Sequence, residues 1–316
     1  MFKWAIVKPI SKTILKEFSA TLLILFIIAF SVFTLVYYSP NEDMLVEYMM
    51  MISEEMDLDS DFEAETLSFA SSFALWLNAV LTGNFGLSLS NGMPAFEQSL
   101  EFLNNSIFLI FFSVILSLTI GLPFAYLLTY KSNHILQKAA SFTIISSSFL
   151  PLFWLAYLVI FLSGHYFDYF PLTETDSETV NNSYLLQIVL LSLGSGLIIE
   201  ISHHISHEVK RVLKEDYILC AKAKGASVFK HLFKEAIAFP LLTILSNRIA
   251  YLFGATIIIE QIFNWPGIGR LLWQATQNRD IPLLLSAVIL TVIAIRFSQF
   301  LSRVCYILIN PRASHE

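Results

Sequence analysis

The chain has 316 residues, of which 56% are hydrophobic and only 14% are charged. Soluble globular domains carry roughly 25% charged residues, so this composition excludes an ordinary soluble protein and requires a lipid environment. The formal net charge is −6, and no basic and aromatic surface pattern points to a nucleic-acid partner. We therefore expect an all-α membrane protein.

The first predicted element is a membrane span over residues 18–38, which follows a basic N-terminal segment, 1–17. The apolar core of the span has 21 residues, more than the roughly 7–15 of a secretory signal, so we predict an uncleaved anchor. Lys8, Lys12 and Lys16 recur every four residues, on one stripe of a helix. Segment 1–17 is therefore either a short amphipathic helix on the inner membrane surface or a frayed basic tail.

An acidic segment, 39–105, follows the first span. Its part 42–65 carries ten acidic residues and no basic one. A charge run of this kind is usually a solvated loop, and we expect such a loop over most of 42–65.

Five further apolar runs complete the predicted set of six transmembrane helices. Each is long enough for an α-helix to cross a hydrocarbon core of about 30 Å. The fourth of the six spans is the least clearly predicted, because it contains Glu200 and two glycines. The five runs, which make up a core over 106–309, are 106–130, 139–163, 184–202, 236–259 and 283–309.

The charges alternate between the segments that join these spans. Fifteen of the 19 basic residues and 18 of the 25 acidic residues fall on opposite alternating sets. The positive-inside rule therefore predicts that both termini are cytoplasmic. The basic set is 1–17, 131–138, 203–235 and 303–316, which includes the tail 310–316; the acidic set is 39–105, 164–183 and 260–282.

The cytoplasmic segment 214–236 predicts two short helices joined by a glycine. Ala221 and Ala223 are good helix formers, and Gly225 can take the left-handed conformation that ends a helix. Ser227 can then cap a second helix. The alternative is an ordinary amphipathic loop that its lysines anchor to anionic lipid. The apolar face of the second helix would consist of Val228, Phe229, Leu232 and Phe233.

Three charged residues fall inside predicted spans, where each costs at least about 2.5 kcal/mol unless it is paired or hydrated. Glu200, Arg248 and Arg296 are therefore either pathway residues or members of packing salt bridges. Both alternatives stay open from the sequence.

The histidines and cysteines predict neither a metal site nor a disulfide. His203 and His207 have a spacing that can hold zinc, but no third ligand is near, so a helix-end cluster is the preferred interpretation and no metal site is predicted. Cys220 and Cys305 both fall on the reducing side of the membrane, which argues against a disulfide.

The sequence predicts no catalysis by this chain. It contains no nucleophile and base pair at a recognisable spacing. It also lacks the G-x-x-x-x-G-K-[ST] pattern of a phosphate-binding loop. Uphill transport by such a chain would need an ATPase on another protein.

At the glycine-centred segment the sequence resembles ATP-binding-cassette import permeases of the dipeptide, oligopeptide and nickel branch. The family pattern D-Y-V-x-x-A-x-A-K-G matches "DYILCAKAKG". In that family the short helix before the glycine docks into a cleft of the ATPase. The resemblance therefore assigns an ATPase-coupling role to Asp216, Tyr217, Ala221, Ala223, Lys224 and Gly225.

Other stretches match the same family at the corresponding places. These are "GNFGLSLSNGMPAFEQ" at 83–98, "IGLPFAYLL" at 120–128 and "LPLFWLAYLVIFL" at 150–162. The chain departs from the family pattern with Ser39-Pro40-Asn41-Glu42 where P-G-D-P is usual, with Thr243 where a proline is usual, and with Arg303 and Asn310 where aspartates are usual. The short loop 164–183 and the sequence of 75–98 look most like the Sap-type peptide permeases.

The stretch "IIIEQIFNWPGIGRLLWQATQNRDIPLL" at 257–284 resembles the family signature before the last span. Its proline and glycines favour a tight turn at the pore mouth, and its tryptophan is expected to anchor the loop at the membrane interface. The gate residues predicted here are Glu260, Trp265, Pro266, Gly267 and Gly269.

The resemblance implies a type I importer permease with six helices in the bacterial inner membrane, for peptides that include antimicrobial ones. It implies a homologous second permease, two ATPase subunits that use ATP and magnesium, and a periplasmic binding protein, beside which 42–65 would lie. No cofactor is expected on this chain. Alternatives are import or export of nickel or putrescine, proton-coupled transport, and a membrane-embedded enzyme or receptor.

Overall fold

The computed structural model describes residues 2–39, 42–55, 68–130, 138, 142, 150–168 and 180–309. These residues are almost entirely helical, which confirms the all-α part of the predicted fold class. In chain order the helices are α1 (Phe2–Tyr37), α2 (Glu42–Glu55), α3 (Phe69–Thr82), α4 (Ala95–Thr129), α5 (Leu152–Phe167), α6 (Val180–Gly194), α7 (Leu197–Val212), α8 (Asp216–Ala223), α9 (Phe229–His231), a π-helix (Leu232–Ala238), α10 (Phe239–Ile262), α11 (Ile268–Gln277) and α12 (Ile281–Ile309).

Within the described residues, four helical stretches are long and apolar enough to cross a membrane. A fifth span results if α6 and α7 count together. The predicted span 139–163 is described as a helix only from Leu152, and most of its earlier part lies outside the described residues. The four stretches are Ile14–Tyr37, Ala95–Thr129, Leu232–Ile262 and Ile281–Leu308.

Helix α1 is continuous from Phe2 to Tyr37. The helical alternative for segment 1–17 is thus the one found, but as an extension of the first span and not as a separate surface helix. The side chains of Lys8 and Lys12 lie outside the part of the chain that the structure describes.

The predicted span 184–202 is not one helix. The chain bends by 49° between Tyr184–Gly194 and Leu197–Val212, because Gly196 has a φ of +71°, which side chains with a Cβ rarely adopt. Helix α7 then runs on to Val212. Residues 203–212, predicted as part of a loop, are therefore helical.

Helix α2 was missed and α4 was predicted too short, because polar residues mask the apolar face of each. In α2 the buried residues Leu45, Tyr48, Met49 and Ile52 follow the i, i+3, i+4, i+7 spacing of one helix face. The prediction of a solvated loop is thus wrong for 42–55, while 56–65 lies outside the described residues. Helix α4 begins at Ala95 instead of residue 106, with Ala95, Ser99 and Leu103 buried along one side.

The chain divides into two compact units. The first unit comprises Lys16–Ser106 and Pro266–Arg296. Its core contains an aromatic cluster in which Phe33 and Trp76, both fully buried, stack with ring centroids 5.1 Å apart. Phe73 meets Phe33 edge to face at 5.4 Å. These rings join α1 to α3, a helix that the hydropathy runs did not reveal.

The second unit comprises Met1–Leu15, Ile107–Trp265 and Phe297–Glu316. Here α4 packs against α6 and α7 through small residues and hydroxyls. The Ser117 and Ser192 hydroxyl oxygens lie 3.1 Å apart, and the Ser202 hydroxyl donates to the Gly121 carbonyl at 3.2 Å. A Cβ at Gly121 would come within 2.9 Å of the Ile201 side chain. Small residues and interhelical hydrogen bonds are the usual means of helix association in lipid.

Candidate functional site

The segment that carries the family motif forms a tight turn at its glycine. Helix α8 ends at Ala223, and Gly225 has a φ of +69°. The Ala226 N–H donates to the Ala221 carbonyl at 2.9 Å, and the Gly225 N–H donates to the Lys222 carbonyl at 3.0 Å. These two bonds form the Schellman arrangement that ends a helix and redirects the chain. The geometry is the predicted helix and glycine turn.

Most predicted residues of this turn face outward. Asp216, Ala223, Lys224 and Gly225 are exposed, while Ile218 is fully buried and anchors α8. Among the described residues, nothing lies within 4 Å of a Cβ built on Gly225. The turn therefore presents small side chains and cations on an open surface, which another protein can approach closely.

Tyr217 ties α8 to the π-helix. Its hydroxyl donates a hydrogen bond to the Glu235 carboxylate. Burial of the phenol, followed by this bond and the charge of Glu235, raises the pKa of Tyr217 to about 12. The phenol is therefore neutral and able to donate at any physiological pH. The sequence motif contains Tyr217 but gives no sign of its partner.

The second half of the predicted pair of helices differs from expectation. Helix α9 begins at Phe229, and Val228 precedes it without a side-chain cap, so the predicted cap at Ser227 is wrong. Phe229 and Phe233 are 70% and 53% exposed, with stacked rings 6.2 Å apart. Part of the predicted apolar face thus points outward, beside the turn at Gly225. We call residues 214–235 the elbow.

The part of the predicted gate that belongs to the second unit is packed around the Trp265 ring. The Trp265 backbone N–H donates to the Glu260 carbonyl at 2.9 Å, and Asn264 takes the left-handed position, with a φ of +57°. Trp265 is only 3% exposed, because its ring packs edge to face against Tyr184 at 4.7 Å. The prediction of an interface anchor is therefore wrong for Trp265.

The part of the predicted gate that belongs to the first unit is held by α4. The Asn105 side-chain amide donates to the Pro266 carbonyl at 2.9 Å, and the Ile268 N–H donates to the Ser106 hydroxyl at 2.8 Å. Gly267 is buried and extended, with a φ of −109°. Any residue can adopt that angle, so the backbone angle does not require a glycine at position 267. Gly269, in α11, is buried as well.

A buried carboxylate that sequence reasoning missed connects two of the motif stretches within the first unit. Asp280 is fully buried. One of its oxygens accepts hydrogen bonds from the Ser88 hydroxyl at 2.5 Å and from the Ser90 hydroxyl at 2.7 Å. The stretches 83–98 and 257–284 are therefore joined through this carboxylate. The family resemblance of both stretches is the sequence signal that could have suggested the contact.

The charges predicted within spans have partners. Arg248 and Glu200 form an ion pair between α10 and α7, and the Arg248 guanidinium lies 5.3 Å from the centroid of the Tyr251 ring. In the first unit, Arg296 donates to the Thr21 hydroxyl at 3.3 Å. These contacts favour the packing alternative for Glu200 and Arg248.

The candidate histidines and cysteines do not form a site within the residues that the structure describes. His203 and His207 are exposed on α7, and the described residues contain no group of three side chains suited to hold a metal ion. Cys220 is exposed and Cys305 is half-buried, and neither forms a disulfide.

Comparisons with known proteins give one consistent result. Residues 117–315 match the model of the family described as binding-protein-dependent transport system inner membrane component. The chain is 29% identical to the probable peptide ABC transporter permease protein y4tP of Sinorhizobium fredii, over 95% of this chain and 98% of the relative. It is 26% identical to the oligopeptide transport system permease protein AppB of Bacillus subtilis, over 76% and 79% of the two chains. It is 24% identical to the dipeptide transport system permease protein DppB of Escherichia coli K12, over 83% and 84%.

Proposed function

Because the chain belongs to the family of binding-protein-dependent transport system inner membrane components, we propose that it is the transmembrane permease subunit of an ATP-driven peptide importer. The observation that carries this proposal is the exposed turn at Gly225, which presents the family's coupling motif on an open surface. The names of the relatives, which specify peptides, oligopeptides and dipeptides, support peptides as the cargo class.

We propose that the elbow receives the ATPase. Ala221 and Ala223 allow a close approach of a partner surface, and the exposed rings of Phe229 and Phe233 extend it. Tyr217 connects α8 to Glu235 of the π-helix, which continues directly into α10. Motion of α8 would therefore be passed to a membrane span. A π-helical stretch often occurs at functional sites.

The proposed arrangement in the membrane has six spans with both termini in the cytoplasm. The alternation of basic and acidic segments supports it. The native Cys220 on the elbow provides a test, because it is exposed. With Cys305 replaced by serine, Cys220 should react with an impermeant maleimide only after the cells are permeabilised, whereas a cysteine in place of the exposed Met93 should react in intact cells. Labelling of Cys220 in intact cells would overturn this topology.

The chain would act in an assembly in the bacterial inner membrane. A homologous second permease would complete the pathway, since one set of six helices needs a partner to enclose it. Two ATPase subunits would bind ATP and magnesium, and a periplasmic binding protein would deliver the cargo. The Sap-type assignment, with antimicrobial peptides as cargo, stays a prediction that the relatives do not distinguish from other peptides.

The coupling role is tested by adding a charge to the elbow surface. We expect Ala223→Glu to leave the chain in the membrane but to lower its affinity for the ATPase by more than about tenfold, because an unpaired buried charge costs several kcal/mol. The control is His204→Glu, which adds the same charge to an exposed position of α7. Co-purification of the ATPase and peptide uptake are the measurements. Normal association of the Ala223→Glu variant would refute docking at the elbow.

A further inference from the structure

A cleft with both polar and apolar walls lies between α10 and the last part of α12, within the second unit. Its volume is about 270 Å³. One lining residue is aliphatic, and the others carry hydroxyl, amide or guanidinium groups. The lining consists of Leu242, Thr243, Ser246, Asn247, Ser302, Arg303 and Tyr306.

The chemistry of this lining suits an oxyanion. Arg303 supplies a permanently charged guanidinium, the group best matched to a phosphate. Asn247, Ser246 and Ser302 add N–H and O–H donors, while the Thr243 hydroxyl is already donated to the Phe239 carbonyl at 3.1 Å. No carboxylate is among the lining residues that the structure describes. The lining therefore carries one guanidinium and several further donors.

A second cation lies next to the aromatic wall of the cleft. The Tyr306 ring packs against Phe239 with centroids 5.3 Å apart. The Lys234 ammonium lies 5.7 Å from the centroid of the Phe239 ring. Lys234 thus lies over one ring of an aromatic pair whose other ring, Tyr306, lines the cleft together with Arg303.

The position of Arg303 along α12 indicates where the anion comes from. The helix has 29 residues and is about 44 Å long, whereas the hydrocarbon core is about 30 Å thick, so roughly 7 Å projects at each end. Arg303 is six residues before the end at Ile309, or about 9 Å from it. With α12 centred on the bilayer, Arg303 would lie near the boundary between hydrocarbon and headgroups.

We propose that this cleft binds the phosphate of an anionic lipid headgroup. The placement in the cytoplasmic leaflet rests on the proposed function, but binding itself does not require transport or an ATPase. Basic pockets between transmembrane helices on that side are suited to anionic headgroups. Inorganic phosphate offers the same oxygens, so the test must separate the two sources.

Native mass spectrometry of the full-length protein measures this binding, with phosphatidylglycerol or phosphatidylcholine added to the detergent. We expect preferential retention of phosphatidylglycerol, and a fall of about fivefold in the Arg303→Gln variant, the effect of one basic residue. Arg303→Lys should retain part of the binding, because it keeps the charge. Asn247→Leu, which removes donors from an exposed position, should also reduce binding. The control Lys210→Gln removes an exposed cation from α7 and should change nothing.

Each outcome bears on the proposal directly. Equal retention of both lipids, or phosphatidylglycerol binding that survives both Arg303→Gln and Asn247→Leu, would overturn it. Retention of inorganic phosphate with no difference between phosphatidylglycerol and phosphatidylcholine would support a phosphate site but refute the lipid as its occupant. Because no readout depends on ATP hydrolysis or uptake, failure here leaves the permease proposal intact, and failure of coupling at the elbow leaves the cleft intact.

Discussion

The Ser88 hydroxyl donates a 2.5 Å hydrogen bond to the Asp280 carboxylate, joining residues 192 positions apart in the chain. The same carboxylate oxygen accepts from the Ser90 N–H at 3.1 Å, and the other oxygen accepts from the Leu283 N–H at 3.2 Å. A buried carboxylate with this many donors is well compensated. It therefore fixes the turn at 88–90 to the start of α12.

We expect Asp280→Asn to destabilise the protein by about 1–3 kcal/mol, because an amide places donors opposite the serine donors and leaves buried groups unsatisfied. Thermal unfolding of the purified protein in detergent measures the change. The control is Glu101→Gln, the same loss of charge at an exposed position of α4, for which no shift is expected. Equal stability of the two variants would mean that the bonds of Asp280 contribute no net stability.

The ion pair between Glu200 and Arg248 gives a second prediction. Replacement of either partner by glutamine should lower the free energy of unfolding by about 1.5–3 kcal/mol, the usual range for a hydrogen bond to a charged group. The exchanged pair, Glu200→Arg with Arg248→Glu, should recover most of that loss. Unfolding temperatures of the four proteins measure the coupling. Recovery of stability together with normal peptide uptake would establish a packing role, whereas restored stability without uptake would indicate that the charges serve the pathway.

The sequence predicted features that depend on a local pattern. The left-handed Gly225 followed from good helix formers before a glycine, and α12 followed from a long, mainly apolar run. The bend at Gly196 was not predicted, because a glycine inside an apolar run is compatible with either a straight or a broken helix. Only the packing of α7 against α4, through Gly121 and Ser202, distinguishes the two.

Features that depend on distant contacts could not be predicted. The buried face of α2 is formed by residues such as Tyr48 that an acidic composition conceals. The partners of Tyr217 and Asp280 lie 18 and 192 positions away, and nothing in either local sequence specifies them. Thr243 and Arg303 both departed from the family pattern, but only the structure brings them to one cleft.

Tyr217→Phe should loosen the elbow, because it removes the hydrogen bond to Glu235. Hydrogen exchange of the amides in α8 should become faster by about two- to tenfold, corresponding to roughly 0.5–1.5 kcal/mol. A raised pKa favours the protonated phenol in the folded state, so this stabilisation is complete below the ordinary value near 10 and is lost as pH rises through about 12. The difference between the two proteins should therefore be constant from about pH 7 to 9. A difference that changes within this range would assign the effect to another group.

Gly267→Val tests the proposed gate. The extended backbone at Gly267 accepts valine, so the added methyl groups act only by displacing the buried surroundings of the loop. We expect peptide uptake to fall by about tenfold or more, the effect of a misplaced functional element, while the complex still assembles. Gly254→Val, in α10 where no atom of the described residues lies within 4 Å of an added Cβ, is the control. Unchanged uptake in the Gly267→Val variant would leave the loop as a structural connection.

The last prediction separates backbone strain from coupling at the elbow. Gly225 and Gly83 both have left-handed backbones, with φ of +69° and +82°, and an added Cβ meets open space at either one. Alanine at either position should therefore lower the free energy of unfolding by a similar amount, about 1–2 kcal/mol. Only Gly225 lies on the proposed ATPase surface, so Gly225→Ala should lower ATPase association while Gly83→Ala should not.

The Gly225→Asn variant strengthens this comparison. Asparagine tolerates the left-handed region better than alanine, although its side chain is larger. If the backbone turn is what couples α8 to α10, Gly225→Asn should retain more ATP-driven peptide uptake than Gly225→Ala. If instead an unobstructed surface is what matters, the larger asparagine should be the more damaging of the two. Uptake and ATPase co-purification, measured on both variants and on Gly83→Ala, decide between these mechanisms, and normal values in all three would refute any coupling role for the glycine.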